Sequence, residues 1–278
     1  MIPNQILNYI GLLDPLPVTA RKLAAMLQNE NACPEGIAKM VEHDARTAAV
    51  IVRAANSAAY RGPSPVERVS EAVARLGTAN LLTIVLGQHL RRVRVDAALY
   101  DLTEGEFHLH SEAAALMIKA MISESRGTFP ATASIAALLH DMGKLIMVRC
   151  LKVNVPAMRA LCKEKKIAFF QAERELLGCD HAEVGAAVAR NWEFPEEVVL
   201  AIEQHHRAAA RGNERLVDAV MLANYATKSI GIGLGAEGFN MTIDFAGSRE
   251  RLGISLEGFE RACAQAALWI AEQRREMQ

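Results

Sequence analysis

Aromatic residues supply only 5% of the 278 residues, and no uncharged run approaches the roughly 20 residues that cross a bilayer. The N-terminus has no basic stretch followed by a long apolar one, so no secretory signal is expected. The five cysteines, Cys33, Cys150, Cys162, Cys179 and Cys263, are odd in number and contain no C-x-x-C pair. That excludes a complete disulfide framework and suits buried thiols in a reducing cytoplasm. An excess of positive charge is missing too: 31 Lys and Arg stand against 32 Asp and Glu, a formal net charge of -1. Without it, neither a nucleic-acid backbone nor a membrane surface is expected as a partner. Apolar residues are abundant at 51%, ample for a core. The expectation is a soluble, cytoplasmic, globular protein.

No stretch alternates apolar and polar residues as a half-buried strand does, so the expected fold class is all-α. Two helical lobes are expected, 1–95 and 96–278, with weak periodicity over 96–105 marking a hinge. Helices of the first lobe are expected at 18–28, from Pro34 onward, and at 45–59, 66–76 and 79–92. Leu13 to Pro17 reads as a proline-stiffened extended stretch, and Arg61-Gly62-Pro63-Ser64-Pro65 as a tight loop. Helices of the second lobe are expected at 107–124, 132–150, 154–165, 169–177, 181–191, 196–206 and 215–229. A loose Gly-rich excursion over 230–247 follows, then a closing helix over 256–275. No strand precedes that glycine run, so it matches no phosphate-binding loop.

The chemistry concentrates around Leu139-His140-Asp141-Met142-Gly143-Lys144. Ile135, Leu138, Leu139, Met142, Leu145 and Ile146 recur at helical spacing, which predicts a buried helix carrying a His-Asp pair. Burying that pair is costly unless each group is hydrogen-bonded or holds a metal. Lys144 lies within reach of the same face. His110, His181, His205 and His206 lie in the same lobe, and several imidazoles with one carboxylate suit Fe, Mn or Zn. Asp141 is placed to bridge two ions, as two-metal phosphoryl chemistry requires.

Leu139 to Lys144 resembles the signature of the HD superfamily of metal-dependent phosphohydrolases, and His110-Ser111 its upstream His-Ser. Four further stretches resemble the HDOD domain, an HD-related output domain of bacteria. They are Leu16-Pro17, Asp44-Ala45-Arg46, Arg53-Ala54-Ala55-Asn56-Ser57-Ala58-Ala59-Tyr60 and Glu71-Ala72-Val73-Ala74-Arg75-Leu76-Gly77. The resemblance runs from about Leu13 to Tyr225. It implies an HD-like helical fold in the second lobe and metal ligands at His110, His140 and Asp141. Similarity to HD-GYP phosphodiesterases adds His181, in Asp180-His181-Ala182-Glu183-Val184-Gly185, and His205-His206. Where the HD pattern ends in a late Ala-Asp, this chain has Ala223-Asn224, an amide and not a carboxylate. The Gly-Tyr-Pro element is absent, because Arg207 to Gly212 follows His206.

The resemblance implies a signalling protein with a degenerate HD site that binds one or two divalent ions, or a nucleotide-type ligand, without turnover. A signalling protein would be its partner. The alternative is a metal-dependent phosphohydrolase or phosphodiesterase acting on a nucleotide-type substrate, with Asp141 and Lys144 catalytic and Lys144 orienting phosphate. Blander readings stand beside these. His140-Asp141 could simply bond helices together, and His205-His206 could be an exposed helix end. His43, His89 and His108 are expected at the surface, and Cys179 as a buried thiol. Arg91, Arg92 and Arg94, and Arg207, Arg211 and Arg215, are expected on solvated faces, and Asn56-Ser57 to shape a helix end.

Overall fold

The computed structural model describes residues 2–13, 15–27, 34–92, 100–206, 214–238 and 244–276, and among them every regular element is a helix. The first five are α1 (Asn4–Gly11), α2 (Val18–Leu27), α3 (Pro34–Glu42), α4 (Ala45–Asn56) and α5 (Val69–Leu90). There follow α6 (Glu104–Glu124), α7 (Ala133–Leu139), α8 (Met142–Cys150), α9 (Val155–Lys165) and α10 (Phe169–Leu177). The last five are α11 (His181–Asn191), α12 (Glu196–Gln204), α13 (Glu214–Ser229), α14 (Phe245–Leu252) and α15 (Leu256–Glu276).

Local chemistry sets the boundaries. The Asp44 carboxylate accepts from the amides of Arg46 and Thr47 and starts α4. Reciprocal Thr103–Glu106 and Asp180–Glu183 capping boxes start α6 and α11. Gly178, in the left-handed region at φ 82°, stops α10. The Asn56 amide donates to the Val66 carbonyl at 2.8 Å and accepts from the Val66 amide at 2.9 Å, closing the loop after α4. That is the helix-end role expected of it.

Helix α6 lies against α7, α13 and α15, while α8 lies against α11, which also meets α12. Helix α5 packs on α2, α3 and α4 and touches α6 and α7, so one continuous apolar cluster runs from Ile6 to Ile270. Helix α5 is also the one described helix long and apolar enough to cross a membrane. It kinks at Gly77, φ 70°, and Leu81, Leu82, Val85 and Leu86 lie in the core. Helix α1, which periodicity misses because it offers only Ile6 and Ile10, sits on α8 and α11.

Two expectations need correction. The helix expected over 132–150 is two helices, because the chain turns at His140 and Asp141, where Asp141 adopts φ -97°, ψ 1°. That turn brings α8 so close to α11 that a Cβ on Gly143 would stand 1.9 Å from the His181 carbonyl oxygen. Residues 230–238 of the stretch expected to be loose are held in place, since the Ala236 amide donates to the Tyr100 carbonyl at 2.7 Å, while 239–243 lie outside the described residues. Asp244 then caps α14 through the Gly247 amide, a helix hidden in the sequence among glycines. Residues 93–99, which take in the first part of the expected hinge 96–105, lie outside the described residues.

Gly143→Ala must push α8 off α11 backbone to backbone. It is expected to destabilise the protein by about 3 kcal/mol or more, the upper range for overpacking. A urea unfolding midpoint equal to the parent's would contradict this packing.

Candidate functional site

Five elements deliver the polar core. Helix α6 contributes His110, the α7–α8 turn His140 and Asp141, α8 Lys144, α11 His181, and the end of α12 His205 and His206. His110, His140, Asp141, His181 and His205 are at most 2% exposed, and His206 is 8% exposed. The structure therefore brings together every residue proposed from the sequence. The reading of His205-His206 as an exposed helix end is overturned.

Asp141 is the centre. Its Oδ2 lies 3.4 Å from His140 Nε2, 3.5 Å from His110 Nε2 and 2.8 Å from Lys144 Nζ. Its Oδ1 faces the other half, 3.3 Å from His181 Nε2 and 3.7 Å from His205 Nε2. The outer ring nitrogens are held in place. Nδ1 of His140 meets the Ala137 carbonyl at 2.7 Å, that of His205 the Ile202 carbonyl at 2.6 Å, and that of His110 the Ile232 carbonyl at 3.2 Å. His181 Nδ1 meets Glu173 Oε2 at 2.6 Å. A carbonyl only accepts, so each Nδ1 facing one is the donor and each Nε2 keeps a lone pair toward Asp141. That is the outer shell that metal-ligating histidines have.

Two sets of ligand atoms lie within 4.8 Å of one another: Asp141, His181, His205 and His206, and His110, His140 and Asp141. Asp141 Oδ1 and His205 Nε2 are buried with no hydrogen-bond partner, and so are both amide atoms of Asn224. Imidazoles, a carboxylate and unsatisfied acceptors fit a divalent ion.

Charge reinforces the arrangement. Burial alone would raise the Asp141 carboxyl, but His140 and Lys144 outweigh it and hold the group well below its usual range. Burial pushes His110 down to about 3 and His205 to about 4, and burial, with His205 and His181 beside it, takes His206 well below 6.5. His181 goes the other way. Against burial, Glu173 and the bond to Asp141 raise it to about 10.

Residues 232–237, within the stretch expected to be loose, cover this centre. Lys144 Nζ, besides meeting Asp141, lies 2.6 Å from Glu237 Oε1, and Lys228 Nζ lies 2.8 Å from Glu237 Oε2. Gly233 is required there, since a Cβ would fall 2.2 Å from His110 Nδ1, and its φ is 73°. A cavity of about 470 Å³ borders Glu237 and is lined by Arg159, Lys163, Lys166 and Phe169.

A model of the HDOD domain matches residues 13–208. The chain belongs to the HDOD family. Its fold is similar to an HDOD domain protein of Geobacter sulfurreducens with unknown function, TM-score 0.70 and 23% identity, covering 99% of this chain and 94% of that one. It is also similar to a Marinobacter aquaeolei VT8 protein named for signal transduction, TM-score 0.70 and 24% identity, covering 96% of this chain and 60% of that one. A Shewanella amazonensis SB2B protein named for phosphohydrolase activity gives TM-score 0.61 at 24% identity, covering 94% and 98%. A Treponema pallidum (strain Nichols) relative is 23% identical over 224 residues, 79% of this chain. The chain spans 43% of that relative's length.

Sequence reasoning passed over Glu173, Lys228 and Glu237, the charged neighbours that complete this HDOD site. Glu173 sits in a polar helix and Glu237 among glycines, so neither position advertises burial. The Lys228 ammonium lies in the last turn of α13, where a solvated cation is usual. His108, expected at the surface, is buried beside Glu104, and His89 is half-buried with its ring edge to Trp192; His43 is exposed as expected. Cys179 and Cys150 are buried, and Cys162 and Cys263 half-buried. Arg91 is spent on Glu112 and Arg215 on the Thr128 carbonyl, not on a free basic face. Arg94, Arg207, Arg211 and Cys33 lie outside the described residues.

These shifts set a pH profile for the metal-free protein. His110, His205 and His206 titrate lower folded than unfolded, so the stability they preserve is full above 6.5 and lost as pH falls. Glu237, lowered, adds to the loss below 4.5. His181, raised, contributes fully below 6.5 and loses its contribution as pH climbs through about 10. Urea midpoints in chelator should therefore peak near pH 6.5 and fall on both sides. The acid limb should be the steeper, at least about 1.4 kcal/mol per pH unit, the value for one proton. A stability that rises from pH 6.5 to 5 would contradict the buried neutral imidazoles.

Proposed function

We propose that this HDOD protein is a signalling module whose HD-type site binds divalent metal, or an anionic nucleotide-type ligand, and works by binding rather than turnover. His110, His140, Asp141, His181, His205 and His206 would hold the ion or ions, Fe, Mn or Zn. A bound ion there supplies charge that draws anionic groups and polarises them. Its readout would be a contact with a signalling protein partner.

The observation that carries this reading is the Glu237 carboxylate, held between Lys144 and Lys228. The cation that would receive a substrate phosphate is already neutralised on both sides, by Glu237 and by Asp141. Asn224 points the same way, since an amide contributes no charge to a metal site. The second reading, a metal-dependent phosphohydrolase, is favoured by the set of Nε2 atoms directed at Asp141. In that case Asp141 and Lys144 would be the catalytic residues.

Elemental analysis of protein purified without chelator is expected to find one or two divalent ions per chain. Asp141→Ala should lose them, and a screen of cyclic dinucleotides and nucleoside phosphates should show no turnover. Robust hydrolysis abolished by Asp141→Ala would establish the second reading. No ion above background, and none taken up from Mn or Fe, would remove the hydrolase reading and the metal-binding form of the first.

Metal affinity should also rise with pH across the neutral range, by up to about tenfold per unit, because His181 must shed a proton to become a ligand. Affinity flat between pH 6 and 9 would exclude His181 from the ligand set.

A further inference from the structure

A second cavity lies away from the His-Asp cluster, where α4 and the turn after it meet α5, α6, α7 and α15. It measures about 560 Å³. That is within the range of roughly 300–1,000 Å³ typical of small-molecule sites. Its walls include Ala54, Ser57, Ala58 and Tyr60 from the densest sequence motif of the first lobe, which the HD site leaves unused. Trp269 and Gln273 close it from α15, outside the stretch that the family model matches. Three bonds hold α15 there: Arg61 to Glu272 at 3.3 Å, Gln273 to Glu112 at 3.2 Å and Arg261 to Glu124.

The charge inside is one-sided. Glu112 is fully engaged, since it receives both Arg91 nitrogens at 2.6 Å and the Gln273 amide. Arg53 also lines the cavity and has no hydrogen bond or ion pair among the described residues. One guanidinium is thus left to meet an anion. Behind the wall Lys119 lies 4.4 Å over the Tyr60 ring, adding positive potential. Ile84, Leu116 and Leu138 give the wall its apolar part, beside the uncharged polar Thr83 and Gln88. Trp269 is half-buried, packs in part on the core and lines the cavity, so it offers an indole surface to a planar group.

We infer that this cavity is a binding site for a small organic anion with a flat aromatic body, its acid group on Arg53 and its ring against Trp269. Leu138, in the wall, stands two residues before His140, so an occupant rests on the helix that leads into the HD turn. The site stands independently of how the HD cluster works.

The probe is an aromatic sulfonate, 1-anilinonaphthalene-8-sulfonate, titrated into the folded full chain and followed by its fluorescence. The chain has two tryptophans, so energy transfer to the probe reports location. Saturable one-site binding is expected, about tenfold weaker in Arg53→Ala, the loss of one charge-assisted hydrogen bond. Energy transfer should fall more in Trp269→Phe, whose indole lines the cavity, than in Trp192→Phe, whose indole lies behind His89. Ala58→Trp, which fills the cavity, should abolish binding, and Arg53→Ala, at an exposed position, serves as the test if that variant does not fold. The inference is overturned by the absence of saturable binding. It is equally overturned by binding that Arg53→Ala leaves unchanged, or by transfer that Trp269→Phe reduces no more than Trp192→Phe does.

Discussion

The Asp141 carboxylate is the constraint on which the rest of the site depends. A carboxylate at 2% exposure must find partners for both oxygens. Where two helices part, Lys144 bonds Oδ2, while Oδ1 faces His181 and His205 with no hydrogen-bond partner and is left for an ion. A continuous helix over 132–150 would send His140 and Asp141 in directions about a hundred degrees apart. The turn after Leu139 lets both face one point. The Gly143–His181 approach follows from the same turn, since α8 must then press its backbone against the start of α11.

Charge balance extends outward from Asp141. Asp141, Glu173 and Glu237 carry three negative charges, and Lys144, Lys228 and protonated His181 three positive ones. Such a cluster is electrically neutral as a unit, which is how so many ionisable groups stay buried together. The neutrality also bears on function. Bringing in a divalent ion upsets the balance, and releasing the His181 proton offsets only half of the added charge. The remainder favours an incoming anion, and the cavity beside Glu237 is lined by Arg159, Lys163 and Lys166.

Much of this was legible in the sequence. The expected bounds of α10 and α11 match the structure, because a clear apolar stripe, a left-handed Gly178 and the Asp180 cap announce them. His110, His140, Asp141, His181, His205 and His206 do converge, as the company of histidines on inward-turning helices implied. What stayed hidden lacks a local signal. Glu237 is fixed by lysines 9 and 93 residues earlier in the chain, and periodicity carries no long-range pairing. The break between α7 and α8 is invisible because both halves continue the same apolar spacing. His108 misled because a histidine four residues after Glu104 in the first turn of a helix usually faces water, and here α6 is buried on nearly every side.

The central claim is that Asp141 and the Nε2 atoms around it form a metal centre. Anomalous diffraction from crystals grown without chelator, recorded across the Mn, Fe and Zn absorption edges, tests it most directly. The account predicts an edge-specific peak in contact with Asp141 and with Nε2 atoms of the surrounding histidines. Well-ordered imidazoles with no anomalous peak among them, in crystals soaked with each metal, would contradict it.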